Sequence, residues 1–229
     1  MKSVEEVIEK LKLRANPDQL EGMSRYGMEV ESRLGVRVPE MRAIAKEIGK
    51  DHQLALELWQ TGIDEAKMVA SMIDVPEEVT EDQMEAWVRD FNSWDVCDQV
   101  CMNLFDKTPL AWVKIHDWAK RDEEYVKRAG YALIACLAWH NKGAADEEFI
   151  RLFSVIKNGA TDERNYVKKA VSWALRNIGK RNTDLNDLAL KVAREMLEMD
   201  SKPAKWIAGD ATRDLTSETT KRRLDRQKS

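Results

Sequence analysis

The residues with chemistry to offer fall in three places. In FNSWDVCDQVCMNLF (91–105), a helical advance of about 100° per residue puts Cys97, Val100, Cys101 and Leu104 on one apolar stripe. Trp94 and Asp98 stand one turn apart on its edge. A carboxylate on the rim of a buried face, beside a large aromatic, is a reactive-site candidate; a structural ion pair with a neighbouring repeat is the alternative. The second place is Arg128, in a segment that is otherwise nonpolar from Ala129 to Trp139. No carboxylate lies at i+3 or i+4, so this cation needs an anion from another repeat or from a ligand. The third is DERNYVKKAVSWALRNIGKR (162–181), where Val167, Ala170, Val171, Ala174 and Ile178 form a core stripe and Trp173 lies opposite, among Lys169, Arg176 and Lys180. An aromatic on a cationic face suits a surface that tracks phosphates and stacks or wedges a base. Equally, the next helix can cover such a Trp while the cations snorkel past it.

The elements that must position these groups read as helices throughout. Val4, Val7, Ile8 and Leu11 make one amphipathic stripe, and Pro39 opens a second helix carrying Met41, Ile44, Ala45 and Ile48 up to Gly49. Starts are marked at Thr80, with Gln83 completing a capping box, and at Thr108–Pro109, Asp122, Asp146, Asp162, Thr183 and Ser201. Helix pairs are predicted at 39–49 with 52–61, 64–74 with 80–90, 94–105 with 108–120, and 122–139 with 146–158, followed by helices at 162–180, 183–198 and 201–225. That rhythm of roughly 30 to 45 residues is the range of HEAT-like solenoids built from antiparallel helix pairs, with a globular bundle as the alternative. No Pro-, Gly- or Ser-rich linker divides the chain, so residues 1–229 are expected to form a single domain.

Composition narrows the function classes. No apolar run reaches the roughly 18 to 20 residues of a membrane span, and the start, MKSVEEVIEKLK, has no signal-peptide core, so a cytoplasmic protein without membrane partners is expected. Cys97, Cys101 and Cys136, with His52, His116 and His140, offer neither a disulfide framework nor a zinc site; Cys97 and Cys101 read as small core hydrophobes. The net charge of −4 hides an asymmetry: residues 1–119 hold 14 Lys and Arg against 24 Asp and Glu, whereas residues 120–229 hold 23 against 17. A basic half in an acidic protein is compatible with binding a polyanion on one face, or with an ordinary solvated helix surface.

Three runs in order carry a family resemblance: Trp94, Asp95 and Asp98 as W-D-x-x-D; Lys127, Arg128 and Ala129; and Lys169, Ala170, Trp173, Leu175 and Arg176 as K-A-x-x-W-x-L-R. With GVRVPEMRAIAKEI (35–48) and WIAGDATRDL (206–215), they resemble the AlkD-like family of DNA alkylation-repair glycosylases over most of the chain. The resemblance implies an all-α, C-shaped solenoid of HEAT-like repeats whose concave basic face holds duplex DNA. It further implies a monofunctional glycosylase that removes cationic N3- and N7-alkylpurines, such as 3-methyladenine and 7-methylguanine, without a deep base pocket. Asp98 becomes the catalytic carboxylate, Arg128 its positioning and phosphate-side partner, and Trp94 and Trp173 the aromatic walls. No metal or organic cofactor is required, and the protein is expected to act as a monomer on alkylated duplex.

Helix spacing adds Lys169, Arg176, Lys180 and Arg181 as backbone contacts, and in the acidic half Tyr26 and Arg33 are the candidates. Two other functions compete: a noncatalytic module that binds distorted or branched DNA by shape, and a helical-repeat scaffold for a protein partner.

Overall fold

The computed structural model describes residues 3–227, apart from the side chain of Gln227. Fourteen α-helices and one 3-10 turn, with no strand, make up the described residues. They fall into two compact units, residues 1–110 and 111–229.

The first unit holds α1 (Val4–Lys12), α2 (Asp18–Arg25), α3 (Val38–Ile48), α4 (His52–Trp59), α5 (Asp64–Ile73), α6 (Glu81–Arg89) and α7 (Trp94–Asn103). Helix α5 is its hub, buried along nearly its whole length and packed by α1, α3, α4 and α7. Helix α1 starts on a full capping box, in which Ser3 and Glu6 each satisfy the other's backbone N–H. Thr80 caps α6 as expected, accepting from the Gln83 N–H, but the box is not completed: the Gln83 amide donates instead to Asp74 Oδ2 at 2.6 Å. The bond to the buried Asp74 carboxylate fixes the Gln83 side chain away from the Thr80 N–H, from which its amide oxygen would have accepted. Trp59 and Trp87 stack with centroids 3.9 Å apart, and the Trp59 indole donates to Asp90 at 2.9 Å.

Gly35 sits where only glycine fits. Its φ is +78°, and a Cβ would lie 2.1 Å from the Asn16 carbonyl oxygen. This turn aims the N–H groups of Leu34, Gly35 and Val36 at the fully buried carboxylate of Glu65 on α5. Three backbone donors stand in for the water that Glu65 has lost. Gly35→Ala is expected to cost at least ~1–3 kcal/mol, read as a lower urea midpoint at unchanged m-value.

The second unit holds α8 (Ala111–Trp118), α9 (Glu124–His140), α10 (Asp146–Gly159), α11 (Asn165–Gly179), α12 (Thr183–Leu197), α13 (Lys202–Leu215) and α14 (Glu218–Gln227). Helix α9 is buried nearly all round because α8 and α11 both pack on it, and Gly130 lets the end of α8 approach so closely that a Cβ would meet the Ala119 nitrogen at 2.7 Å. Cross-helix partners climb in step: Arg128 reaches Tyr166, Asn177 reaches Ala135, and Arg181 reaches Ala138. Ser172 reaches Asp210 in the same sense. Helices α9, α11 and α13 therefore form one parallel row, with α10 and α12 packed against each other and against that row. The offset is 38 residues between Arg128 and Tyr166 and between Ser172 and Asp210, and 42 and 43 residues for the Asn177 and Arg181 contacts, all within the expected repeat length.

Several boundaries differ from those predicted. Helix α2 has no buried residue and no side-chain cap, hence no stripe to read. Asp122 and Asp162 do not cap, since α9 follows Glu123 and α11 follows Arg164; Asn182 rather than Thr183 caps α12. Thr108 donates to the Phe105 carbonyl, so α8 opens only at Ala111. The expected helix 201–225 breaks at Thr216–Ser217, where the Ser217 and Thr220 hydroxyls both take the Asp214 carbonyl. Hydroxyls that compete for helical carbonyls end a helix that polarity alone would continue.

Candidate functional site

In the first unit the site begins with the start of α7. Ser93 occupies its N-cap position in extended conformation but caps nothing. Its hydroxyl donates to Asp95 Oδ1 at 2.8 Å and accepts from Arg33 Nη2 at 2.8 Å. Arg33 grips both Asp95 oxygens at 2.7 Å and approaches Asp64 at 3.2 Å, while its Nε donates to the Glu29 carbonyl. Its guanidinium is buried, so it is not a surface group available to a duplex: here the sequence expectation is corrected. Burial works against the Arg33 charge, but Asp95, Asp64 and Glu65 more than offset it and raise its pKa. The middle residue of the W-D-x-x-D run thus ties the first turn of α7 to a cation 62 residues earlier.

That tie orients the two groups on the helix edge. Cys97, Val100, Cys101 and Leu104 are fully buried, as the stripe requires, and neither cysteine is in a disulfide. Trp94 and Asp98 are half-buried. The Trp94 indole donates to the Tyr26 carbonyl at 3.1 Å, while the Tyr26 side chain is 73% exposed after α2. Tyr26 therefore holds Trp94 through its backbone and presents its ring to solvent.

In the second unit Arg128 is only 5% exposed, and its Nη1 donates to the Tyr166 carbonyl at 2.5 Å across α9 and α11. The flanking rings, Tyr125 and Tyr166, stack at 5.9 Å. Beside them Lys127 and Arg164 converge on Asp162, at 3.0 and 2.6 Å. The hydrogen bond from Arg164, with the one from Lys127, holds the Asp162 carboxyl far below the usual carboxylate range. A carboxyl whose folded pKa is depressed adds stability that is present above its unfolded value, near pH 4, and is lost as pH falls toward the folded value. Asp162→Asn is expected to flatten the acid limb of a melting-temperature profile below about pH 5 and leave the slope at neutral pH unchanged.

The cations around Trp173 divide. Lys169 is exposed. Arg176 lies 3.5 Å from both Asp210 and Asp214 on α13, and Lys180 pairs with Asp214. Arg181 donates to the carbonyls of Ala138, Asn141 and Ala144, with its guanidinium 4.0 Å over the Phe149 ring. Arg181 thus closes the end of α9, in the place of a C-cap. Trp173 is half-buried and walls an open cavity of about 210 Å³ together with Ala138, Trp139, Asn177, Lys180 and Arg223. Among the described residues no cluster of His, Cys, Asp and Glu is arranged to hold a metal ion, and no helix is long and apolar enough to cross a membrane.

Sequence reasoning missed the pairing of Arg33 with Ser93 and Asp95, the α13 carboxylates beside α11, and Trp139 with Arg223. Asp95 lay inside a quoted run, and Asp210 and Asp214 inside another, but nothing local says which helix they face.

The family described as DNA alkylation repair enzyme matches the chain over residues 7–215. Among solved structures, the chain is similar to one described as "a new family of proteins related to the HEAT-like repeat DNA glycosylases with affinity for branched DNA structures". The TM-score is 0.75 at 19% identity, over 93% of this chain and 95% of that one, a likeness of fold. Two designed armadillo repeat proteins, one bound to a (KR)4 peptide, reach TM-scores of only 0.36 and 0.35 at 15% and 16% identity, covering 98% and 93% of this chain and 87% and 100% of theirs. No curated protein matches the chain.

Proposed function

The chain belongs to the DNA alkylation repair enzyme family, and from that membership we propose that residues 1–229 act as one repair domain, a cytoplasmic monomer that excises cationic N3- and N7-alkylpurines from duplex DNA. The observation that carries this reading is that Trp94 and Asp98 stand half-buried on the edge of a helix whose first turn is fixed by a buried ion pair. A carboxylate there is pre-organised and needs no rearrangement to act.

Alkylation at N7 or N3 already places positive charge on the purine. When the C1′–N bond breaks, its electron pair goes to the base, which leaves neutral and needs no general acid. The deficit passes to the sugar as an oxocarbenium-like cation. Ionised Asp98 stabilises that charge and takes a proton from the water that adds to C1′, leaving an abasic site and a free base. Trp94 offers a ring face to the developing cation, and the family resemblance gives Trp173 the role of a further aromatic wall. Arg128, Lys169, Arg176, Lys180 and Arg181 supply positive potential toward the backbone, Lys169 by direct contact, and Tyr26 offers an exposed ring for the duplex. The chemistry calls for no cofactor.

A second reading, recognition of branched DNA without excision, draws support from the affinity stated for the similar structure. Treating methylated DNA with the protein and identifying released bases by mass spectrometry separates the two. Free 7-methylguanine or 3-methyladenine above the spontaneous rate is expected; DNA binding with no release rejects excision. Lys169→Glu is expected to weaken duplex binding and lower the salt slope by about one, measured by anisotropy titrations at several ionic strengths.

A further inference from the structure

The cavity beside Trp173 has a second aromatic wall that the excision chemistry does not use. Trp139, at the end of α9, is 47% exposed and rests on His140 with ring centroids 4.9 Å apart. A large indole left open to solvent costs hydration, and a ring propped against a neighbour presents a fixed stacking face. The floor is polar at one point: the Asn177 amide donates to the Ala135 carbonyl at 2.9 Å, leaving its own carbonyl oxygen to accept from a base edge.

The rim is cationic. Arg223 lines it, with Lys180, which is also paired with Asp214. Lys142, whose pKa burial lowers, is lowered further by Arg223 and Arg181 nearby. Arg223 is carried on α14, which also bears Lys221, Arg222 and Arg226 against Glu218 and Asp225. Like charges gathered at one mouth repel each other, and an anion relieves that cost. At about 210 Å³ the cavity falls short of the roughly 300–1,000 Å³ of drug-sized ligand sites, which suits one planar ring.

Resting on the DNA reading above, we propose that this pocket binds an unpaired nucleotide of DNA, with the base stacked against Trp139 and Trp173 and its phosphate held by Arg223 and Lys180. Such a site prefers DNA that offers an unstacked base over fully paired duplex. It is sequence-tolerant, because every base has a π-face.

The test compares two short duplexes of the same sequence, one fully paired and one carrying a single unpaired 2-aminopurine, titrated with the full chain. Wild type is expected to bind the unpaired substrate more tightly and to quench the 2-aminopurine emission. Trp139→Ala is expected to lose about tenfold on that substrate, lose the quenching, and bind the paired duplex as wild type does. Arg223→Glu, a surface change, is expected to weaken the unpaired substrate selectively and flatten its salt dependence. If both variants retain wild-type preference, or lose affinity equally for both duplexes, the pocket is not the site and the inference fails while DNA binding stands. If wild type binds neither duplex, the DNA reading fails and this inference falls with it.

Discussion

Asp98→Asn is expected to slow base release from alkylated duplex by about 10²- to 10³-fold, some 3–4 kcal/mol of transition-state stabilisation, while leaving affinity for the same duplex unchanged. Asn keeps the shape of Asp, removes its charge and turns one acceptor oxygen into a donor. Because the buried face of α7 is made by Cys97, Val100, Cys101 and Leu104, with Asp98 on its edge, the helix has no packing reason to move. The loss therefore falls on kcat and not on binding, as expected of a group whose interaction strengthens only as the sugar becomes cationic. A protein that only binds branched DNA predicts no such effect. Single-turnover release and a parallel binding titration separate these outcomes.

Arg33→Ala is expected to be the most destabilising single change in the first unit. It leaves Asp95 and the fully buried Asp64 without their shared cation and deprives Ser93 of its donor. Removing one partner of a buried pair costs about 3–5 kcal/mol, which for a chain of this length lowers the melting temperature by roughly 6–20 °C. Arg33→Met with Asp95→Leu is expected to regain only part of that stability, since it removes the Asp95 charge but leaves the buried Asp64 with Lys67 alone, 3.9 Å away. Activity should not return with it: the tie that sets the first turn of α7, and so Trp94 and Asp98, is gone. Calorimetry on the single and double variants, with release rates alongside, distinguishes a positioning network from a purely stabilising one.

The contrast between these two residues marks what was legible in the sequence. Arg128 and Trp173 announce themselves by local pattern, a cation in an apolar run and an aromatic on a cationic face, whereas Asp98, a carboxylate on a stripe's edge, becomes catalytic only through the family resemblance. Helical periodicity carries such signals, and for the same reason the helices themselves were readable, down to the all-round burial of α9. Arg33 carried no such signal. It looks like any surface arginine, and its charged partners lie 31 residues and more away. Arg176 and Lys180 show the same limit from the other side: their spacing along α11 was plain, yet Asp210 and Asp214 reach them only because α13 lies parallel beside it. The capping box at Thr80 was half legible, because the cap is a local contact whereas the pull of Asp74 on Gln83 is tertiary. Trp139 was visible as part of an apolar run, and only the arrangement of helix ends shows that it is left open.

The central claim is excision, and a duplex with a single 7-methylguanine opposite cytosine tests it most directly, with protein in excess and free base measured over time. First-order release well above the spontaneous rate, abolished by Asp98→Asn at saturating protein, is the predicted result. Release no faster than in buffer, from a protein shown to be folded and bound to that duplex, would contradict it.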